Sequence, residues 1–339
     1  MQADERNATS SSVVPSIMSS YDVGALTDYT LLKSITHDTY RIETTNGVYI
    51  LKVYGSGWRL LADIDYEIDL LKHLAGKGIP VAAPMARRDG RFYSVQHARG
   101  RERYAVLYTY AEGDEPPWPP DPAYYRPYGR ALARIHMGLD DFSSAHPGPI
   151  LELAHLLDDP TAALLRFLGQ RPDDASYLRA LAARLRERVS GIAAALDEGP
   201  CHGDIQGANC HATDDGTVTF FDFECCGIGW RVYDLATLRW AAALNGADDT
   251  LWTTFLQGYT ECRDVNDSAL QTVPLFVLIR RLWWMGTQIQ RRSTMDQEWD
   301  HQGFLDRGLA FLCTWQATHA PALNTAIPTA PRYLPPVSS

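Results

Sequence analysis

The stretch His202-Gly203-Asp204-Ile205-Gln206-Gly207-Ala208-Asn209, followed after a turn by Phe221-Asp222-Phe223-Glu224, decides the reading of this chain. It sets an Asp and an Asn five residues apart and places a second Asp on a predicted strand. That is the spacing by which a general base and two magnesium ligands are held around a nucleoside triphosphate. The expectation is phosphoryl transfer, with Asp204 accepting the proton of an attacking hydroxyl and Asn209 and Asp222 offering magnesium the oxygen ligands it prefers. Val218, Phe220, Asp222 and Glu224 alternate, so one strand face would carry Glu224 beside Asp222, within reach of a metal or its waters. Turns also collect Asp, Asn and Gly. A turn reading, however, does not explain why these residues occur in this order downstream of a strand lysine and a helical glutamate.

Those upstream partners come from residues 30–75. Polar and apolar residues alternate on both sides of Asn46-Gly47, a dipeptide that favours a type I′ hairpin turn because both central positions need positive φ. In the second strand Val48, Ile50 and Lys52 share one face and Tyr49, Leu51 and Val53 the other, so Lys52 sits in a strand that reads as buried on both sides. The helix predicted over Leu60 to Ala75 carries Ile64, Ile68 and Leu71 at helical spacing, with Glu67 on the edge of that stripe. A carboxylate beside an apolar face needs a partner, and Lys52 is the one expected.

Composition bounds the rest. The 339 residues, 45% hydrophobic and 21% charged, suffice for two lobes with separate cores. A net charge of −10 gives no basic footprint for nucleic acid. The longest apolar run, near Leu275 to Met285, is broken by Arg280 and Arg281 and is too short for a bilayer. Residues 1–20 are Ser-rich, lack the pattern of a signal peptide and read as a disordered tail, which makes a cytoplasmic location the simplest expectation. The six cysteines show no metal spacing and read as reduced packing thiols.

Composition shifts abruptly at Gly113-Asp114-Glu115-Pro116-Pro117-Trp118-Pro119-Pro120. This divides an N-lobe of residues 21–111 from a C-lobe of residues 112–319, with a Pro-rich tail over 320–339. Tyr108-Thr109-Tyr110-Ala111 would be the hinge, where backbone groups of Thr109 and Ala111 can meet an adenine edge. Beyond it helices are predicted over 122–139, 150–156, 161–168, 175–196, 234–245, 250–259, 270–290 and 300–315, with β structure only near 201–223.

The chain resembles the aminoglycoside phosphotransferase and choline kinase-like family. The resemblance runs from about Asp28 to Trp315 and rests on His202 to Asn209, Phe221 to Glu224, Tyr49 to Tyr54, the helix with Glu67, Gly78 to Pro84 and Leu132 to His136. It implies an α+β, bilobal, protein-kinase-like fold, with a small β-rich N-lobe holding one helix and a larger helical C-lobe. It implies that ATP and Mg are the cofactors, that Lys52 contacts the ATP phosphates and that Glu67 positions it. No glycine-rich loop precedes Lys52. Ser34-Ile35-Thr36-His37-Asp38-Thr39 stands in its place, where the hydroxyls of Ser34 and Thr36 and backbone N–H groups could cradle phosphate. Gln206 occupies a position often His in the family and could hydrogen-bond a phosphate or a substrate without carrying charge.

The acceptor is less legible. Tyr233, Trp240, Trp283 and Trp284 lie where this family builds its acceptor pocket, although aromatics at helical spacing also build cores. Arg280 and Arg281 either bind an acidic group or pair with the surplus carboxylates. Asp234 reads as a helix N-cap and structural tie. The leading function is transfer of the ATP γ-phosphate to a hydroxyl of a small molecule, an antibiotic, sugar, nucleoside or amino alcohol. The alternatives are a protein Ser/Thr kinase like stress response kinase A, the subgroup most resembled alongside type II homoserine kinase, and a non-catalytic nucleotide-binding protein.

Overall fold

The computed structural model describes residues 13–34, 37–55, 59–98, 101–116, 121–292 and 300–319. It divides into two compact units: Met1–Glu115 with Asp141–Gly148 and Cys210–Glu224, and Pro116–Asp140 with Pro149–Asn209 and Cys225–Ser339. Cys210–Glu224, which a single boundary at residue 112 would assign to the C-terminal part, is thus grouped with the first unit.

The first unit opens with helix α1 (13–18). Val14, Ile17, Met18 and Tyr21 are buried with Tyr40, Ile42, Leu51, Val53 and Leu107 in one core. This corrects the expected disordered tail for residues 13–20; residues 1–12 lie outside the described residues. The sheet that α1 covers comprises β1 (Leu26–Ser34), β2 (His37–Thr44), β3 (Gly47–Tyr54), β4 (Tyr93–Ala98) and β5 (Arg101–Thr109), in the order β1-β2-β3-β5-β4. Every neighbouring pair is antiparallel.

The β2–β3 hairpin forms as expected, but its turn is not type I′. Thr44 pairs with Gly47, which leaves Thr45-Asn46 as the loop, and neither has positive φ. Gly47 instead uses its freedom at φ +145° on the first paired position. The loop is tied to the start of β1, where Thr45 N–H donates to the Ala25 carbonyl at 2.9 Å and Ala25 N–H to the Thr45 hydroxyl at 3.0 Å. Helix α2 (Leu61–Gly76) follows, its first turn closed by Asp63, whose carboxylate accepts from Leu60 N–H at 3.1 Å. Its buried stripe contains Ile64, Glu67, Ile68, Leu71 and Leu74.

The second unit is mainly helical. Its elements begin with α3 (Pro122–Gly138), β6 (Ile150–Leu151), α4 (Asp159–Phe167), α5 (Pro172–Ile192) and β7 (Glu198–Cys201). The helix expected over 150–156 is instead strand β6 followed by one π-helical turn, Ala154–Asp158, because β6 pairs with a later strand. The hairpin of β8 (Cys210–Ala212) and β9 (Val218–Phe220) belongs to the first unit. The second then resumes with β10 (Gly227–Trp230), α6 (Arg231–Leu244), α7 (Asp249–Thr260), α8 (Asp267–Leu270), α9 (Val273–Arg292) and α10 (His301–Thr318). The helix expected over 270–290 is α9, which starts at Val273 with Pro274 in its first turn, where the missing N–H costs nothing, and the short α8 precedes it.

Strands β6, β10 and β7 make a small sheet. The main core of this unit gathers around α9, whose Phe276, Val277, Leu278, Ile279, Leu282 and Met285 are fully buried. Among the described residues no helix is long and apolar enough to cross a membrane. All six cysteines are free thiols. The Pro-rich tail expected over 320–339 lies outside the described residues.

Candidate active site

In the first unit, β3 carries Lys52 to the centre of a group of carboxylates. Its ammonium stands 2.5 Å from Asp222 Oδ1 and 3.3 Å from Glu224 Oε2, and only 5% of the residue is exposed. Burial alone would lower the lysine pKa, but Asp222, Glu224 and Glu67 together outweigh it and hold it well above its ordinary value. Lys52 is a fixed cation here.

The direct Lys52–Glu67 pair expected from sequence is not formed. Glu67 accepts from Tyr54 Oη at 3.1 Å and Tyr108 Oη at 3.2 Å, while the two ion pairs of Lys52 are to Asp222 and Glu224. Burial, then the Glu67 charge, raises both tyrosines well above their ordinary values and keeps them as donors. Glu67 therefore acts on Lys52 through its field, and its hydrogen bonds are spent on tyrosines that share the Lys52 face of β3 and β5.

Asp222 reaches Lys52 by an unexpected backbone route. It does not continue β9; its φ is +62°, the one positive φ of a non-glycine among the described residues, and Phe223–Cys225 form a 3₁₀ turn. Alternation along a strand is thus the wrong reason for Glu224 lying beside Asp222. The turn brings them together, and Glu224 Oε2 also meets His37 Nδ1 at 3.0 Å. One ligand atom from each of His37, Asp222 and Glu224 falls within 4.8 Å of the others. A non-glycine held in the left-handed region costs of order 1 kcal/mol and is found where geometry serves function.

The segment that replaces a glycine loop is partly visible. Ser34 donates to Asp38 Oδ1 at 2.6 Å, and Asp38 Oδ2 accepts from Arg103 at 2.7 Å; Thr36 lies outside the described residues. At the expected hinge, Thr109 N–H donates to the Ala83 carbonyl at 2.9 Å and the Ala111 carbonyl accepts from His211 Nδ1 at 2.6 Å. These two groups are spent within the first unit rather than presented to an adenine edge. His211, which sequence reading missed, packs against Tyr110 and Phe221.

In the second unit the His202–Asn209 loop is fixed from below by α6. Asp234 accepts from His202 N–H at 2.8 Å and Gly203 N–H at 2.7 Å, and from His136 Nε2 at 3.0 Å. It is the expected structural tie but not an N-cap, since α6 starts three residues earlier at Arg231. Gly203 has φ +81°, and a Cβ there would lie 2.1 Å from the Cys225 carbonyl oxygen, so only glycine fits. Ile205 N–H is received by Thr237 Oγ1 at 3.1 Å.

The loop presents the Asp204 carboxylate with both oxygens held. Oδ2 accepts from Gln206 Nε2 at 3.0 Å and Asn209 Nδ2 at 3.1 Å, and Oδ1 accepts from Arg280 Nη2. Asn209 Nδ2 also reaches the Asp204 carbonyl at 2.8 Å, which directs its amide oxygen away from Asp204. Gln206, expected at a phosphate or substrate, donates to the Asp204 carboxylate through Nε2. A carboxylate offers about four acceptor positions. Three are used.

The aromatic residues expected at an acceptor divide. Tyr233 and Trp240 are 1% and 3% exposed and belong to the core. Trp284 packs between Trp240 and Phe304. Trp283 is partly exposed and its Nε1 donates to His155 Nε2 at 3.3 Å. The guanidinium of Arg280 lies over the Trp240 and Trp283 rings, 5.0 and 4.5 Å from their centroids. Arg281 lies over Trp284 and Phe311, and burial, with Arg307 nearby, pushes it down to about 10. Arg280 thus answers to a carboxylate, as one expectation had it, and that carboxylate is Asp204.

The buried tie sets a pH response. Burial lowers the His136 pKa against the pull of Asp234, and the neutral ring is fully satisfied between Tyr259 Oη at 2.7 Å and Asp234. Unfolded His136 takes up a proton near pH 6.5 that the folded form resists, so stability falls as pH drops through that value. Asp234 is the opposite residue type with the same outcome: burial raises its pKa, but the His136 hydrogen bond and neighbouring charges lower it further, so its contribution is lost only in stronger acid, below about pH 3.9. Melting temperature measured from pH 8 to 5.5 is expected to decline more steeply in the parent than in His136→Gln; parallel curves would show that His136 does not titrate against folding.

A profile described as the phosphotransferase enzyme family matches residues 28–267. An uncharacterized protein of Deinococcus radiodurans is 36% identical over 295 residues, 86% of this chain and 85% of the relative. A homoserine kinase of Neisseria meningitidis is 30% identical over 256 residues, 74% of this chain and 78% of the relative. Among solved structures, a microcompartment-associated aminopropanol kinase shares the fold with a TM-score of 0.70 at 21% identity, covering 91% of this chain and 98% of that one.

Proposed function

The chain belongs to the phosphotransferase enzyme family, and from that premise we infer that it transfers the γ-phosphate of ATP to a hydroxyl of a small molecule. The observation that carries this is Asp204, whose carboxylate is held by three donors with one acceptor position left for a hydroxyl. Phosphoryl transfer demands placement of the nucleophile more than strength of the base. A carboxylate locked in one orientation and facing an acceptor O–H meets that demand.

The other roles divide by residue type. Lys52 supplies a fixed positive charge to the phosphates. Asp222 and Glu224 give a pair of carboxylates, a hard donor set that fits magnesium, and Asn209 offers an amide oxygen. Magnesium, when bound, neutralises charge on the phosphate oxygens. Ser34 and Thr36 remain the proposed phosphate-loop contacts, and Thr109 and Ala111 the proposed adenine contacts by backbone groups other than those spent on Ala83 and His211.

Relatives named homoserine kinase and aminopropanol kinase put small amino alcohols and hydroxy amino acids first among candidate acceptors. The protein is to be incubated with Mg-ATP and panels of amino alcohols, sugars, nucleosides and antibiotics, and products read by mass spectrometry. The expected result is the mass gain of one phosphoryl group on a small hydroxyl compound. Label from ATP entering proteins of a cell extract, with none entering small molecules, would favour the protein-kinase alternative. Thermal stabilisation by ATP without transfer to any acceptor would leave a nucleotide-binding protein.

A further inference from the structure

We propose that Arg280 is a positioning residue for Asp204, a cation built into α9 whose task is to hold that carboxylate in its reactive orientation; this rests on the role assigned to Asp204 above. Arg280 is 1% exposed, near the middle of α9 and between the fully buried Ile279 and Leu282. A buried guanidinium is costly unless charge and hydrogen bonds compensate. Here they do so at one place. Nη1 donates to the Gly203 carbonyl at 3.1 Å and lies 3.4 Å from Tyr233 Oη, and Nη2 donates to Asp204 Oδ1.

One guanidinium therefore bridges the backbone and the side chain of consecutive loop residues. Such a fork fixes both the direction of the loop and the rotation of the carboxylate, which a point charge on a flexible stem cannot do. The guanidinium plane is itself held, with the Trp240 ring at 5.0 Å and the Trp283 ring at 4.5 Å. Gln206 and Asn209 hold the second oxygen, so rotation of Asp204 about its terminal torsion would break three hydrogen bonds.

The test is a double-mutant cycle on the full chain, using Mg-ATP with water as acceptor and ADP release as the readout, so that no acceptor need be known. Arg280→Met is expected to lower the rate about 10²-fold when Asp204 is present and less than about 3-fold in an Asp204→Asn background, with the KM for ATP unchanged. Arg280→Lys keeps charge and stem, protects the fold, and is expected to lose about 10-fold, again only with Asp204 present. Equal losses in both backgrounds would overturn the proposal, because Arg280 would then act as a general support of the helix. Melting temperatures of the same four proteins separate this inference from the functional reading. Non-additive shifts support the Arg280–Asp204 coupling even if no protein releases ADP, whereas additive shifts overturn it even in an active kinase.

Discussion

Asp204→Asn is expected to lower turnover by about 10² to 10⁴-fold, the usual range for removing a positioned proton acceptor. The substitution keeps the size of the side chain and removes its charge and one acceptor oxygen. Arg280 Nη2 can still find the remaining oxygen. The new amide nitrogen then faces Gln206 Nε2 and Asn209 Nδ2, a donor set against donors, with only the residue 204 backbone carbonyl still accepting from Asn209. The carboxamide is consequently misoriented as well as non-basic, and the loss should fall on kcat rather than on the KM for ATP. Nucleotide binding by calorimetry is expected to stay within a few-fold of the parent, since no part of this loop is assigned to the adenosine. A mutant that turns over within about 3-fold of the parent would show that Asp204 does not receive the proton, whatever the quality of its hydrogen bonds.

The distinction between what sequence reveals and what it hides can be seen in single residues. Asp204, Asn209 and Asp222 stand out in the sequence because the roles proposed for them impose short, fixed spacings. Arg280 acts on Asp204 from 76 positions away, and no local pattern marks an arginine in an apolar helix as one that bridges a loop. Burial of Lys52 and Glu67 was readable from alternation and helical spacing, because burial is a property of one element. Their pairing was not, because it depends on Tyr54 and Tyr108 competing for Glu67 and on a turn delivering Asp222 and Glu224.

Two misreadings had a signal available. In the Ser-rich N-terminus, Val14, Ile17, Met18 and Tyr21 repeat at helical spacing; average composition concealed four residues that complete a core. Phe221 to Glu224 looked like a strand by alternation, yet the φ of +62° at Asp222 breaks the period just where the chemistry is expected. Local regularity fails there because two carboxylates must converge on one lysine, and a pleated strand would space them nearly 7 Å apart along one face.

Lys52→Met is expected to damage both stability and activity, and the two effects have different origins. In the parent, the ion pairs to Asp222 and Glu224 converge on Lys52, with the Glu67 charge close behind. Removing the ammonium leaves these carboxylates poorly compensated. Breaking such a pair in a buried site costs about 3 to 5 kcal/mol, and since the Asp222 side chain is 22% exposed the lower end applies. Because the folded pKa of Lys52 is raised, its contribution is fully present below the unfolded value near 10.4 and is lost only as pH rises through the higher folded value. The difference in melting temperature between parent and mutant is therefore expected to be constant from pH 7 to 9. Activity should fall about 10² to 10³-fold, the scale for deleting one preorganised group that stabilises transition-state charge. The stabilisation that ATP gives in a thermal-shift assay should shrink in parallel, since the lost charge is the one assigned to the phosphates. A Lys52→Met protein with the parent's melting temperature, ATP response and turnover would mean that Asp222 and Glu224 do not depend on Lys52 and that the phosphates are met by other groups.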